Sequence, residues 1–117
     1  MAQKYIVDDI VMYKNKIHTI IDTLRLNNYE LSYVSHSVNQ AELSGVPLTP
    51  EILEKNGWNK GQIYFTHSRI PRIKLCTDGG ISWSVSINGD IMGSYICYLH
   101  QLQHILFAFR IEGEMEV

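Results

Sequence analysis

Residues 81–89 constrain the chain most. Ile81, Trp83, Val85 and Ile87 alternate with Ser82, Ser84 and Ser86, and Asn88-Gly89 follows at once. A period of two puts every large apolar side chain on one side of a pleated strand and every serine on the other. Asn-Gly suits a type I′ turn, so the run predicts an antiparallel hairpin whose second strand covers part of residues 90–98. Trp83 and Val85 are then core residues, and Ser82, Ser84 and Ser86 face solvent or a partner. The period changes further on. Leu99, Leu102, Leu106 and Phe109 recur at spacings of three and four with Ile105 beside them, which predicts a helix of about three turns with one apolar side. His100, Gln101, Gln103 and His104 decorate its flank. Gly113 stops it, leaving Glu114 to Val117 to fray or to add a short edge strand.

The first half repeats this logic with weaker signals. Ile10–Tyr13 and Ile17–Leu24 are rich in β-branched residues, and Lys14-Asn15-Lys16 between them is too short for anything but a turn. Both faces of the second run are mixed, as in a curved strand or a small barrel. Asn27-Asn28 supplies another turn, and Tyr29, Leu31 and Tyr33 alternate as a third strand. Residues 35–45 lack a period and predict a connection. VPLTPEILEKNGW then predicts two turns of helix: Thr49 as N-cap, Pro50 at N1, Glu51 in the first turn, Leu48 and Leu53 as a staple, and Gly57 as the closing residue. Ile63, Phe65, Ile73 and Leu75 mark further strands, and Asp78-Gly79-Gly80 a turn. The expected fold is α+β: a mainly antiparallel sheet or small barrel with one short and one longer helix. With 117 residues and neither a repeat nor a linker, the expectation is a single α+β domain over residues 1–117.

Composition narrows the functional classes. Ten Lys and Arg stand against twelve Asp and Glu, for a net charge of −2, so a general affinity for polyanions has no compositional support. Cys76 and Cys97 allow one disulfide at most, which suits a reducing cytoplasm better than secretion. Asp8 and Asp9 interrupt what would be the apolar part of a signal peptide, and the longest apolar-rich stretch, residues 105–111, is far too short to span a bilayer. The sequence therefore predicts a cytoplasmic protein with no membrane partner.

Two segments carry a resemblance. GVPLTPEILEKNGW and YLHQLQHILFAFRIEGEMEV together resemble a family of small uncharacterised proteins from Bacteroides-type genomes and their prophages, with a PLTxxxLxxxG helix and a C-terminal Y-(V/L)-H-x-L-Q helix. Pro47, Leu48, Thr49, Leu53, Gly57, Tyr98, His100, Leu102, Gln103, Phe107 and Ala108 match that pattern, while Trp58, His104 and Phe109 depart from it. The resemblance covers about a third of the chain. It implies a phage or mobile-element origin and brings no catalytic residues.

Catalytic chemistry finds little footing. His100 and His104 lie one helical turn apart, but Gln101 stands where an H-E-x-x-H motif needs glutamate, and no third ligand is evident, so no metal is expected there. Ser35-His36 and His67-Ser68 are adjacent without a group to orient the base. No nucleophile elbow or P-loop is present, and no cofactor is implied. The one local charge bias is basic: Lys60, Arg69, Arg72 and Lys74, with Tyr64 and His67 among them, form a candidate ligand surface or a solvated loop. Three expectations follow. The first is a small non-catalytic accessory or interaction protein of phage or prophage type. The second is a counter-defence protein that binds a host nucleotide signal or a host protein. The third binds nucleic acid through a small barrel at residues 10–34. A homodimer built on Tyr95, Tyr98 and the C-terminal segment is also expected, because tyrosine favours interfaces and the last residues could extend a neighbour's sheet.

Overall fold

The structure is a computed structural model that describes residues 4–77, 79–91 and 95–108. The chain adopts the expected α+β class, with ten short strands and two α-helices among the described residues. The strands form two five-stranded sheets rather than one, and every pairing in them is antiparallel. The described residues divide into two compact units: residues 4–46 with 99–108, and residues 47–98.

In the first unit, β1 (Ile10–Tyr13) and β2 (Lys16–Thr23) form a hairpin. Lys14 and Asn15 sit at φ 50° and 63°, both angles that the tight two-residue turn demands. β3 (Asn28–Leu31), β4 (Val38–Asn39) and β5 (Ser44–Gly45) complete the order β4-β3-β2-β1-β5. Residues 35–45, expected as a plain connection, thus hold both edge strands of this sheet. They flank a 3₁₀ turn at Gln40–Glu42 that is closed by a capping box, in which the Asn39 side chain accepts from the backbone and Glu42 reaches back to Asn39 N–H.

This short link dictates the shape of the sheet. Outer strands of a flat five-stranded sheet would lie about 19 Å apart. The chain from Asn39 to Ser44 passes through the 3₁₀ turn and reaches only about 14 Å. The sheet must therefore curl until its outer strands approach each other, giving a partial barrel. A break in register between Ile20 and Asp22 adds bend to β2. Inside lie Tyr5, Val11, Tyr13, Ile20, Tyr29, Leu31, Val38 and Leu43. The buried Tyr29 hydroxyl donates to Gln40 Oε1 at 2.6 Å and accepts from Tyr5 N, so its polar end is satisfied.

Helix α2 (Leu99–Ala108) belongs to the same unit and packs on β1. Leu99, Leu102 and Leu106 are buried as the spacing predicted. Phe109 and residues 114–117, expected to fray or to add a short edge strand, lie outside the described residues.

The second unit opens with α1 (Pro50–Lys55), whose Thr49 hydroxyl accepts from Ile52 N as the N-cap and whose Leu53 is buried. Gly57 follows at φ 86°. Strands β6 (Trp58–Lys60), β7 (Phe65–His67), β8 (Ile70–Thr77), β9 (Trp83–Ile87) and β10 (Asp90–Ile91) then pair in sequence order. Asn88 and Gly89, at φ 53° and 89°, make the predicted hairpin turn. The alternation beyond it needs one correction. β9 begins at Trp83, and Ile81 is 80% exposed in the preceding turn rather than on the core face. The reason is local: Thr77 Oγ1 donates to Ser82 O and accepts from Gly80 N, which keeps residues 80–82 in the turn.

Trp83 is the anchor of this unit. It is fully buried, its indole N–H donates to Leu48 O at 2.9 Å, and its ring meets Phe65 edge-on at 5.3 Å. Its backbone also exchanges two hydrogen bonds with Ile96. Truncation Trp83→Ala should cost about 3–5 kcal/mol for the lost packing. Trp83→Phe should cost less, about 1–3 kcal/mol, because it mainly leaves the Leu48 carbonyl unpaired. Urea unfolding of the three proteins tests this ranking, and equal midpoints would refute the anchor.

Candidate ligand-binding site

The short β1–β2 turn and the bend after β3 together shape an open cleft of about 310 Å³ on the partial barrel. Its lining is Tyr13, Lys14, Lys16, His18 and the run Tyr33–His36. Each side chain has a clear reason to be there. Tyr13 ends β1 beside the turn, its hydroxyl 3.3 Å from His36 Nε2. His18, on β2, places Nδ1 2.8 Å from Ser32 O, so Nδ1 carries the proton and Nε2 is the acceptor of the neutral ring. Ser32 also accepts from Thr19 N through its hydroxyl, which pins the bend to β2. The Lys14 ammonium stands 5.3 Å from the Tyr13 ring centroid.

Tyr33 overturns the sequence expectation most sharply. It was predicted inside the third strand, but β3 ends at Leu31. Tyr33 lies in the following turn at φ 61°, and its side chain is fully exposed. The turn closes through Val34 N donating to Leu31 O at 3.3 Å. Left-handed backbone disfavours a side chain with a Cβ by roughly 1–2 kcal/mol, and a fully exposed ring recovers nothing from packing. The cleft therefore joins two ammonium groups, two imidazoles and two phenols, one of them held outward at a conformational cost. No carboxylate is among its lining residues; Glu30 lines an adjoining hollow of about 230 Å³ instead.

Comparison of the chain with protein-family models, curated proteins and solved structures finds no match. The chemistry of the site is thus read from its own residues.

The basic residues singled out in the sequence are only partly brought together. Tyr64, Arg72 and Lys74 share one side of the second sheet, where the Lys74 ammonium lies 5.5 Å from the Tyr64 ring centroid. Lys60 stands opposite Phe65, in the row that continues to Leu75 and Val85 in the core. Arg69 is exposed beside the β7–β8 turn. His67 is held internally: Nε2 lies 3.0 Å from Asn56 O, Nδ1 accepts from Arg69 N, and the ring meets Trp58 edge-on. A Cβ at Gly57 would fall 2.8 Å from His67 Nε2, so this ring also fixes glycine at that position. Tyr95 and Tyr98, expected at a dimer interface, are exposed and half-exposed, and residues 113–117 lie outside the described residues.

The two helical histidines have separate fates. His104 Nε2 lies 2.7 Å from Asp9 Oδ2, and that carboxylate is almost fully buried and also accepts from Ile6 N. His100 is buried against the Tyr5 ring at 5.0 Å. Sequence reasoning placed both histidines on one flank but missed Asp9, whose partner is 95 positions away. The other contact of the Asp9 carboxylate is a backbone amide. The pair fastens α2 to the start of β1. Among the described residues, no group of three or more His, Cys, Asp or Glu is placed to share a metal ion, and no helix is long and apolar enough to cross a membrane.

Burial lowers the His100 pKa from 6.5 to about 4, with Asp9 opposing the shift and His104 and Lys4 adding to it. Above pH 6.5 this ring is neutral whether folded or not. As pH falls from 6.5 to about 4, the unfolded chain takes up a proton that the folded chain refuses, so stability drops across that window. The loss should be on the order of 3 kcal/mol. Denaturant unfolding of the native protein and of His100→Phe between those pH limits checks it. The variant should show a flatter profile, and parallel profiles would refute the assignment.

Proposed function

We propose that the protein is a non-catalytic binding module, and that its cleft holds a short stretch of single-stranded nucleic acid. The observation that carries this reading is Tyr33, an exposed ring kept at positive φ beside an acid-free group of cations and imidazoles. A base stacks on such a ring whatever its identity, for about 1–3 kcal/mol per base. Lys14 and Lys16 lie within the same cleft to meet the flanking phosphates, and His18 and His36 offer ring nitrogens to base or sugar edges. An open cleft suits a strand that passes through it more than a small molecule that must be enclosed. The net charge of −2 gives no long-range attraction, so affinity is local and strongly salt-dependent. A phage or mobile-element accessory role, as the sequence resemblance implies, accommodates a module of this kind.

Fluorescence anisotropy with a labelled oligothymidylate at low and moderate salt tests the proposal. Tyr33→Ala should weaken binding by roughly five- to a hundredfold, the equivalent of one stacked base. Lys14→Ala with Lys16→Ala should lower the slope of log affinity against log salt by about 1.4, as expected for two phosphates of a single strand. Tyr33→Asn should also weaken binding while raising stability by up to about 1 kcal/mol, because asparagine tolerates the left-handed backbone. No binding at low salt, or unchanged binding in these variants, defeats the proposal. Binding of a free mononucleotide in preference to the oligomer would instead favour capture of a nucleotide signal.

A further inference from the structure

Lys16 and His18 stand two residues apart on β2, so both lie on one side of the strand, about 6.8 Å apart along it. The register places Lys16 opposite Tyr13 and His18 opposite Val11, and Tyr13 and Val11 belong to the core of the partial barrel. The ammonium and the imidazole therefore share its concave side, where both line the cleft. The imidazole is held from two directions. Its Nδ1–H donates to Ser32 O at 2.8 Å, and its ring meets the Tyr13 ring edge-on at 5.9 Å. Ser32 is itself tied to Thr19 twice: its N donates to Thr19 O and its hydroxyl accepts from Thr19 N, both at 2.9 Å. The partner of His18 is thus a fixed carbonyl.

This arrangement fixes what His18 can recognise. With Nδ1 protonated, Nε2 of the neutral ring carries a lone pair, and it has no hydrogen bond among the described residues. It can meet only a donor. A phosphodiester offers acceptor oxygens alone, so the group at Nε2 is not the phosphate that Lys16 attracts. His36 differs, because the Tyr13 hydroxyl already engages its Nε2 at 3.3 Å. A single strand offers two kinds of donor: N–H groups on the base edges, and the 2′-hydroxyl of ribose. In the proposed complex the base lies on Tyr33, and Ser32, which holds His18, is the residue before it. A 2′-hydroxyl stands beside its own phosphate in the chain, which matches a lysine and an acceptor two residues apart on one strand. A base edge lies farther from the phosphate and differs among the four bases.

We infer, resting on the reading of the cleft as a site for single-stranded nucleic acid, that it takes RNA in preference to DNA, with His18 Nε2 accepting a hydrogen bond from a ribose 2′-hydroxyl. That hydroxyl is the group by which a protein separates the two nucleic acids at a given site. An acceptor fixed in advance by Ser32 and Tyr13 needs no ordering when the strand arrives, so little of its hydrogen bond is lost to immobilising the ring.

Fluorescence anisotropy on the whole chain at low salt compares labelled oligomers of one length: oligouridylate, oligodeoxyuridylate, and 2′-fluoro oligouridylate, whose sugar has no hydrogen to donate at that position. Oligouridylate should bind the native protein roughly two- to tenfold more tightly than either of the others, the equivalent of one hydrogen bond. His18→Phe, which keeps a ring against Tyr13 and removes both nitrogens, should bind all of them about equally. Should that variant lose its folded circular dichroism spectrum, the 2′-fluoro comparison on the native protein decides alone. Equal binding of the ribo and deoxy oligomers, a 2′-fluoro oligomer as tight as oligouridylate, or a ribose preference kept in folded His18→Phe overturns the inference while leaving the cleft a nucleic-acid site. No binding of any oligomer defeats both the ribose preference and the reading of the cleft on which it rests.

Discussion

Asp9 is a carboxylate almost completely removed from water, and such a group is tolerated only with a partner. Its partner, His104, comes from the far end of the described chain. Beside it, Gln103 does what a neighbouring strand would do: its carbonyl accepts from Ile10 N and its amide donates to Asp8 O, both at 2.9 Å. Helix α2 thereby satisfies the backbone at the entrance to β1, where a positive φ at Asp8 has turned the chain out of regular pairing. Within the second unit the two ends of the chain meet: Pro47 bridges Tyr98, and Leu48 N donates to Cys97 O. An insertion with its two ends so close can fold around its own core, and Trp83 with Phe65 supplies that core.

What the sequence disclosed follows from how local each signal was. Thr49, Pro50 and Gly57 specify α1 within nine residues, and Asn88-Gly89 specifies a turn within two, so these elements form where expected. The curl of the first sheet was visible only as mixed faces on β2. Its cause, the short passage from β4 to β5, depends on pairings that involve two residues each, too few to leave a periodic trace. Tyr33 failed for a related reason. Its alternation with Tyr29 and Leu31 fits a strand, and nothing in the residue type announces positive φ, which asparagine or glycine would have done.

The candidate site was legible in its location and not in its residues. A small barrel at residues 10–34 was expected as one possible binding surface, but its cations were read only as turn residues. A turn of Lys-Asn-Lys presents its ammonium groups outward whatever else it does, and only the fold shows that His36 and Tyr33 come to the same place. The basic stretch at residues 60–74 shows the opposite case. Proximity in sequence grouped six residues, and the pleat then separated them, sending Lys60 to the core-side row, holding His67 against Asn56 and Trp58, and leaving Arg72 and Lys74 on the outward side.

Net charge misleads here because it counts acids without asking what they are doing. Asp9 is buried against His104, Glu42 closes a capping box, and Glu51 sits in the first turn of α1 where the helix dipole favours it. Asp22 accepts from the backbone of Thr23. These carboxylates serve local structure and are positioned by it, and none of them is among the lining residues of the cleft that holds Lys14 and Lys16. Screening sharpens the point, since at physiological ionic strength a charge is felt over only about 8 Å. A ligand approaching Lys14 and Lys16 meets the nearby surface rather than the sum over the chain. A cleft lining without a carboxylate is therefore physically consistent with a weakly acidic protein.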